Sequence, residues 1–504
     1  MKRRNKPHEK KRKGLGLKPL MIGMTACTVV MGGVLIWAVL GSIHLESESG
    51  HGLGIVDAVN NMELQKKSEE FASKPSITAS KSQTLTANES DLEQENCTSA
   101  DKDTELSEET SVADEESAQS TDETDTQKNE SVYQTINEAT MKNPDSGVVD
   151  VTALTSISSD EVRSWIENYT YGEWPYLDGV QVTQADQDEI LSRRNLDGIA
   201  DEINISYGVI TKNAAVRSFP TWKKASKSLE ENAFDYFQES MLLVGEPVAI
   251  VHQTQDGNWS FVQSNNYRGW VETDHIGICS LDELKNWQSS DRAVVTDAKL
   301  TLSDTTLRMG TSLAAREDAD GSMTVSLPQR EENGQLTYQE VTTAQDGIHF
   351  GYLELTQENV LEQAKKLIGT AYGWGDSNGD MDCSSTMNSI YRCFGILLPR
   401  NTSALAQTGT DVVSLENMTQ EEKLEKIHEM KPGTLLVMKG HVVMYIGQQD
   451  GEDQILHNFT TCLAEDGVST KEVYQCQITP LNLVTASGVQ YLDAYATAIS
   501  FPTE

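Results

Sequence analysis

A long uncharged, apolar run stands near the amino terminus of this 504-residue chain. It covers residues 20–43, and its 24 positions are enough to cross a hydrocarbon layer of about 30 Å as a helix. Residues 1–19 carry nine Lys or Arg and a single acid, Glu9, which favours a cytoplasmic location for this tail. We therefore predict a single-pass transmembrane helix in the cell membrane, with everything after it extracytoplasmic.

A cleaved signal peptide is the alternative interpretation of the same run. Val39 and Gly41 satisfy the small-residue rule ahead of Ser42, so cleavage near Ser42 would secrete the chain. The run exceeds the apolar region of about 7–15 residues that signal peptides ordinarily have, and this length favours the uncleaved anchor.

Residues 44–149 form an acidic segment rich in Ser and Thr. From Glu46 to Asp150 there are 25 Asp or Glu and 7 Lys or Arg, and no aromatic residue occurs between Ala72 and Val132. A segment of this composition buries too little apolar surface to offset its ordering entropy, so we predict a disordered linker. The formal net charge of −37 argues against a nucleic-acid partner, because phosphates would repel the chain.

The seven cysteines do not form the CxxC pairs of zinc sites, and they are too few for a disulfide-built scaffold. Cys462 and Cys476 would be able to pair if the strands that carry them formed a hairpin. No motif calls for a metal ion or an organic cofactor, and none is predicted. The seven positions are Cys27, Cys97, Cys279, Cys383, Cys393, Cys462 and Cys476.

The hydrophobic period changes twice after the linker. Residues 150–205 hold two helical patterns, the first with Ser158 or Ser159 as its N-cap, and they predict a short helical cap. In residues 206–281 and again in 282–355, apolar residues alternate along short segments that turn signals separate. These segments predict two small β-barrels, which serve either as structural walls or as the lining of a substrate cleft.

Residues 356–504 begin with two helical patterns and end in strand patterns, which together predict an α+β domain. The first helix follows Thr356 as its cap. The second begins at Cys383 and turns one apolar face inward, with Gly395 as its C-cap. The whole chain is thus predicted to be multidomain.

Cys383 is the cysteine whose surroundings suggest chemistry. Free N–H groups at a helix start stabilise a thiolate and bring its pKa toward neutrality. His441 heads one predicted strand and His457 lies in the next, so a hairpin between these strands would bring the two imidazoles together. That arrangement supplies a nucleophile, a base and an orienting group. Cys393, ten residues further along the same helix, faces elsewhere and is expected in the core.

Four ordered motifs of this domain resemble the NlpC/P60 papain-like cell-wall peptidases. They are YGWGDSNGDMDCSS, FGILLPRNTSALAQTG, GHVVMYIG and ILHN. Upstream, AVRSFPT and the run from Phe234 to Val271 are similar to the bacterial SH3-type module of a multidomain branch of that family. The segment HFGYLELTQENV resembles the join into the catalytic domain. The resemblance covers about residues 150–504 and implies two SH3-like β-barrels ahead of a papain-like domain.

The resemblance implies a catalytic triad of Cys383, His441 and His457. It implies a thiol protease that hydrolyses the bond between γ-D-glutamate and a diamino acid in peptidoglycan stem peptides, or in muropeptides released during cell wall turnover. A free N-terminal L-Ala is preferred in that branch, with Asp382 and Ser384 at its amine. The substrate-binding positions that the resemblance implies are Tyr372, Trp374, Asp382, Ser384, Asn401 and Thr402.

Some positions depart from the family pattern. Ser385 and Thr386 replace a Gly and a bulky apolar residue, Asn401 and Thr402 stand where a ligand-contacting Ser is usual, and Asp376 replaces a frequent Gly. These changes bear on substrate preference, because the triad itself is complete. Two other functions stay open at this point: a catalytically silent wall-binding module, and a wall amidase or endopeptidase of different bond specificity.

Overall fold

The computed structural model describes residues 132–229, 231 and 233–503. The predicted tail, the membrane anchor and most of the linker lie outside these residues. Within the described range, no helix is both long and apolar enough to span a bilayer.

The chain is already folded where the linker was predicted to continue. Residues 132–142 are helical, and Ile136 is buried in the core of the carboxy-terminal domain. The Asn137 side chain donates to Gly395 O and accepts from Leu397 N, both at 2.8 Å. The prediction of disorder was therefore wrong for the end of the linker.

The physical reason is a short apolar face that the acidic composition conceals. Val132, Tyr133 and Ile136 lie on one side of the helix and pack against the carboxy-terminal core. The following segment is also held, since Val149 N donates to Asn265 O at 2.7 Å. Folded structure thus begins ahead of the predicted boundary at residue 150.

The cap contains the two helices that were expected. Each begins with a capping box, in which Ser158 pairs with Glu161 and Thr183 with Asp186. A two-stranded hairpin between the helices, which was not predicted, extends onto the first β unit. The elements are Val151–Ala153 and Leu196–Gly198 as 3₁₀ turns, the helices Ser159–Glu167 and Gln184–Ser192, and strands β1 (Tyr176–Leu177) and β2 (Val180–Gln181).

The first β unit is a seven-stranded antiparallel sheet in the order β10-β3-β7-β8-β9-β4-β6, and β5 pairs with β1 of the cap. Its strands are β3 (Ser206–Ile210), β4 (Ala214–Arg217), β5 (Ala225–Ser226), β6 (Gln238–Leu242), β7 (Pro247–Gln253), β8 (Trp259–Gln263), β9 (Arg268–Glu272) and β10 (Ile276–Cys279), with a 3₁₀ turn at Thr273–His275.

The second β unit follows the helix Leu281–Ser289 and combines a five-stranded sheet, in the order β16-β15-β14-β11-β17, with the hairpin β12-β13. One continuous core joins both β units to the cap, since Trp165, Phe261 and Leu327 all belong to it. The strands are β11 (Arg292–Val295), β12 (Lys299–Leu302), β13 (Thr305–Arg308), β14 (Ser312–Glu317), β15 (Met323–Arg330), β16 (Leu336–Thr343) and β17 (Ile348–Phe350).

The carboxy-terminal domain is α+β as predicted, with a six-stranded antiparallel sheet in the order β18-β23-β19-β20-β21-β22. Its strands are β18 (Asp411–Ser414), β19 (Leu435–Met438), β20 (His441–Gln449), β21 (Glu452–Leu463), β22 (Thr470–Pro480) and β23 (Tyr495–Ser500). Its helices are Gln357–Lys366, Cys383–Arg392, Thr402–Leu405, Gln420–His428 and Tyr491–Ala494, and Trp374–Gly379 is an irregular loop of tight turns.

The helix Cys383–Arg392, called the cysteine helix below, packs against β20 and β21. Met387, Ile390 and Tyr391 are buried, as the apolar spacing predicted. Strands β20 and β21 form the expected hairpin, with Met444 opposite Leu456. This pairing is what carries both histidines to the start of the cysteine helix.

The described cysteines are free thiols. Strands β21 and β22 do form a hairpin, but its register places Cys462 opposite Lys471 and Cys476 opposite Asn458. The two sulfurs therefore do not face each other across the ladder. Cys393 is fully buried, as expected of a core residue.

Candidate active site

The nucleophile candidate stands at a capped helix start. Cys383 is the first residue of the cysteine helix, and Asp382 is its N-cap. Asp382 Oδ1 accepts the N–H of Ser385 at 3.0 Å, while the Ser385 hydroxyl accepts the N–H of Asp382 at 2.9 Å. This reciprocal capping fixes the backbone from which the thiol projects.

The two histidines form a relay that ends in a hydroxyl group. His441 Nε2 lies 2.9 Å from His457 Nδ1, and His457 Nε2 lies 3.0 Å from Thr479 Oγ1. Thr479 Oγ1 donates in turn to Pro480 O at 3.4 Å. When Thr479 donates to Pro480 O, it accepts from His457 Nε2–H, and His457 Nδ1 then accepts from His441 Nε2–H. In this tautomer His441 Nδ1 carries no proton and is free to act as a base.

The thiol lies close to the strand that carries this base. The backbone N–H groups of Val442, the residue after His441, and of Ser384 hydrogen-bond to the Cys383 sulfur and lower its pKa. Two stronger effects oppose them: burial, and then the negative charge of Asp382, and the net result is a pKa of about 12. Burial also lowers the pKa of His441 to about 4.

These shifts correct the expectation that the helix start brings the thiol pKa toward neutrality. Burial removes water from the sulfur, and that cost exceeds what two N–H groups return. Near pH 7 the resting pair is therefore a neutral Cys383 thiol and a neutral His441 imidazole. A base that activated this thiol would take its proton as the sulfur attacks, rather than beforehand.

Alkylation of Cys383 tests this protonation state. Below a pKa of about 12 the thiolate fraction grows tenfold per pH unit, so we expect the rate constant for iodoacetamide to rise about tenfold per unit from pH 6 to 9. Mass spectrometry of the Cys383 peptide measures the rate. A resting thiolate–imidazolium pair would give instead a rate that hardly changes over this range.

Arg400 is the residue at the site that sequence reasoning missed. It is buried, and its Nη2 lies 2.6 Å from Asp382 Oδ2. Its Nη1 donates to Ser384 Oγ at 2.7 Å, and its Nε donates to Ser240 Oγ of β6 at 2.8 Å. The pKa of Asp382 is lowered, because the charge of Arg400 and the hydrogen bonds of Ser385 outweigh burial.

The predicted positions Asn401 and Thr402 directly follow that arginine. Asn401 is the N-cap residue of the short helix Thr402–Leu405, and Thr402 is buried. The side chain that reaches Asp382 and Ser384 belongs to Arg400, the preceding residue. The signal was present in the motif LPRNTS, where a buried arginine next to a helix start requires an acidic partner.

Aromatic residues cluster around the loop that precedes the thiol. Tyr372 hydrogen-bonds through its backbone N–H to Tyr474 O at 3.0 Å, and burial followed by the charge of Cys383 raises the pKa of its phenol far above the usual value. The ring of Phe234, from the first β unit, lies 6.5 Å from that of Tyr372 and 5.9 Å from that of Trp374. Trp374 Nε1 is buried without a hydrogen-bond partner.

The first β unit also brings polar groups to this side. Gln238 Nε2 of β6 donates to Gly375 O at 2.9 Å, in the loop ahead of Cys383. Tyr267 Oη donates to Glu239 Oε2 at 2.9 Å, and the Ser218 hydroxyl also donates to Glu239. Sequence reasoning did not single out Glu239 or Tyr267. Their pairing joins strand β6 to the residue just ahead of β9, 28 positions away, which no local pattern reveals.

A cluster that would suit a cation lies elsewhere on the first β unit. Ligand atoms of Glu272, Asp274 and His275 are within 4.8 Å of one another. Among the described residues this is the one group of three such side chains, and it contains none of the residues around Cys383.

A thiol at a capped helix start, beside a two-imidazole relay, is the arrangement that a cysteine hydrolase requires. Residues 369–480 match the model of the NlpC/P60 family, and residues 220–272 match that of an SH3 domain of the SH3b1 type. The carboxy-terminal domain thus belongs to the NlpC/P60 family of cysteine peptidases, and the first β unit is an SH3 domain.

Individual relatives agree with this assignment. A gamma-D-glutamyl-L-lysine dipeptidyl-peptidase of Bacillus cereus (strain ATCC 10987 / NRS 248) is 28% identical over 91 residues, which are 18% of this chain and 26% of that protein. The alignment thus spans about a quarter of the curated relative.

Solved structures are similar over a longer stretch. An NlpC/P60 endopeptidase from Photobacterium damselae subsp. piscicida has a TM-score of 0.57 at 21% identity, covering 69% of this chain and 84% of its own. An NlpC/P60 family protein from Bacillus cereus ATCC 10987 has a TM-score of 0.41 at 19% identity, covering 58% of this chain and 99% of its own. At 21% identity, the similarity to the Photobacterium structure shows a shared fold.

Proposed function

We propose that this chain is a membrane-anchored, extracytoplasmic cysteine peptidase that hydrolyses the γ-D-glutamyl–diamino acid bond of peptidoglycan stem peptides. The observation that carries the proposal is the hydrogen-bonded relay from Thr479 through His457 to His441, next to the thiol at the start of the cysteine helix. The predicted roles of Cys383, His441 and His457 depend on it.

The geometry supports a thioester mechanism. His441 Nδ1 takes the thiol proton while the Cys383 sulfur attacks the γ-glutamyl carbonyl carbon. N–H groups at the helix start stabilise the oxyanion. His441 then protonates the leaving amine, and a water molecule, deprotonated by the same imidazole, hydrolyses the thioester. His457 keeps Nε2–H of His441 engaged, so the basic nitrogen stays directed to the reacting atoms.

The charge around the thiol supports recognition of a free amino terminus. Asp382 is buried and ionised, with Ser384 Oγ 3.2 Å from its Oδ1. Glu239 of the SH3 domain, a half-buried residue of β6, adds a second carboxylate. An ammonium group is a natural ligand for carboxylates, and an L-Ala amino terminus supplies one.

The name of the curated relative supports the choice of bond, since that protein is a γ-D-glutamyl-L-lysine peptidase. The SH3 domain is consistent with a partner in the cell wall. The membrane anchor rests on the apolar run at residues 20–43 and its basic flank. In this proposal the acidic linker lets the catalytic part reach stem peptides while it stays tethered.

Release of lysine from L-Ala-γ-D-Glu-L-Lys by the full-length chain tests the proposed reaction. The Cys383→Ala variant is expected to lose at least about 10⁴-fold in kcat/KM. Cys393→Ala is the matched control, because Cys393 is the C-cap residue of the same helix and hydrogen-bonds to Ser389 O inside the core. We expect this control to stay within about threefold of the wild type.

Each outcome has a defined meaning. If the wild type released no lysine and Cys383 were not alkylated at pH 9, the alternative of a catalytically silent wall-binding module would be supported. Cleavage of wall material at another bond would support the amidase or endopeptidase alternative. Equal cleavage of the tripeptide and its N-acetylated form would remove the free-terminus requirement and keep the peptidase. Fractionation then decides between anchor and signal peptide, since secretion would yield a chain that starts near Ser42.

A further inference from the structure

The loop ahead of Cys383 contains a buried carboxylate that the reaction itself does not use. Asp376 is only 2% exposed, and its Oδ2 lies 3.4 Å from Arg308 Nη2 and 3.9 Å from Arg400 Nη2. Arg308 ends strand β13 of the second β unit. Asp376 therefore connects that unit to the arginine that holds Asp382.

The backbone conformation at Asp376 would favour glycine, so the presence of a carboxylate there calls for an explanation. Its φ of 64° lies in the left-handed region, which glycine adopts without strain and which aspartate tolerates less well. Glycine would fit this position in the loop at lower backbone cost. The carboxylate is nonetheless present, and its Oδ1 is buried without a hydrogen-bond partner.

Two arginines and two aspartates meet in this buried cluster, and their formal charges cancel. Arg308 and Arg400 contribute two positive charges, and Asp376 and Asp382 two negative ones. If Asp376 lost its charge, the cluster would carry one positive charge next to Asp382. In a poorly polarisable interior, that charge acts strongly on any ligand ammonium that Asp382 receives.

We propose that Asp376 is a positioning residue for amine recognition. It neutralises Arg308 and shares Arg400 with Asp382, so that Asp382 keeps a negative potential toward the amino terminus of the substrate. The second β unit thereby takes part in substrate selection through Arg308. This inference rests on the proposed function, and it concerns binding of the ammonium group rather than cleavage of the bond.

Binding to the full-length Cys383→Ala chain tests the inference without any reaction. Isothermal titration measures Kd for L-Ala-γ-D-Glu-L-Lys and for its N-acetylated form, and their ratio is the amine preference. Adding Asp376→Asn, which keeps the shape and tolerates the left-handed backbone, is expected to lower this preference about tenfold. The loss should come from weaker binding of the free tripeptide alone.

Asp380→Asn is the matched control. Asp380 lies in the same loop, and its carboxylate pairs with Lys299 of the second β unit at 3.7 Å with 26% of the side chain exposed. It removes the same charge from the same loop without touching Arg400. We expect this variant to keep the amine preference of its parent within about twofold.

A double variant separates charge from loop position. Arg308→Gln combined with Asp376→Asn removes one charge of each sign, so the cluster returns to neutrality and the amine preference should recover to within about threefold of the parent. A purely structural role for Asp376 predicts that the double variant binds both ligands worse than either single variant.

The results that would overturn the inference are specific. They are an unchanged preference in Asp376→Asn, an equal loss for both tripeptides, or a parent chain with no amine preference. Failure of the proposed function has a different signature, because it appears as absent lysine release by the wild type whatever the two Kd values are.

Discussion

Replacing His441 with alanine is expected to lower kcat/KM by about three to four orders of magnitude. With a pKa of about 12, only about 10⁻⁵ of the Cys383 thiol is ionised at pH 7, so attack needs a base at the moment of reaction. Hydrolysis of L-Ala-γ-D-Glu-L-Lys over a pH series measures the effect. Hydroxide partly replaces the lost base, so the activity of the variant should rise about tenfold per pH unit.

Variants of two other histidines provide a smaller expected loss and a control. His457→Ala removes the group that holds the tautomer and leaves the base, so a loss of about 10–100-fold is expected. His428→Ala is the control, because His428 pairs with Asp453 at 2.8 Å in an exposed position. Retention of more than about a tenth of wild-type kcat/KM in His441→Ala would contradict the assignment of the base.

Replacing Arg400 with methionine is expected to destabilise the protein by about 3–5 kcal/mol, as removal of one partner from a buried ion pair does. Asp382 would stay buried without its cation, and Ser240 and Ser384 would each lose a donor. The shift of the urea midpoint at constant slope measures the effect.

The pH dependence of this loss has a definite sign. The folded-state pKa of Asp382 is depressed, so its contribution to stability is present above the unfolded value of about 3.9 and is lost as pH falls through the folded value. Without Arg400, burial raises the pKa of Asp382 instead, and protonation removes the cost of burying an unpaired carboxylate. The difference between variant and wild type should therefore be largest near pH 7 and shrink toward pH 3.

A matched exposed arginine controls for the loss of charge. Arg316 pairs with Glu340 at 2.9 Å, but the side chains are 62% and 48% exposed. Arg316→Met should change stability by less than about 0.5 kcal/mol. An Arg400→Met variant that behaves like this control would show that the cluster around Asp382 does not need its cation.

Local patterns were sufficient to predict the elements that hold the thiol and the imidazoles. The apolar spacing of Met387, Ile390 and Tyr391 marks the cysteine helix, and the turn after Gln449 pairs the two strands with the histidines. Each of these signals lies within about 20 residues of sequence, where helix and strand periods are informative.

The charged part of the site was beyond such reasoning. Arg400 meets Ser240 across 160 positions of sequence, and Asp376 meets Arg308 across 68. These pairs arise from the packing of separate units, which no periodicity encodes. The raised pKa of Cys383 was missed for a related reason, because it depends on how deeply neighbouring elements bury the sulfur.

The helix at residues 132–142 determines where tension would enter the folded protein. Its Asn137 is fastened to the backbone of Gly395 and Leu397, in the turn just after the cysteine helix. A pull on the chain ahead of residue 132 would thus be borne first by the turn that follows the cysteine helix. The SH3 domain is attached further along the chain, where Asn265 O accepts from Val149 N. A tether attached ahead of this helix would therefore pull on the peptidase domain before it pulls on the SH3 domain.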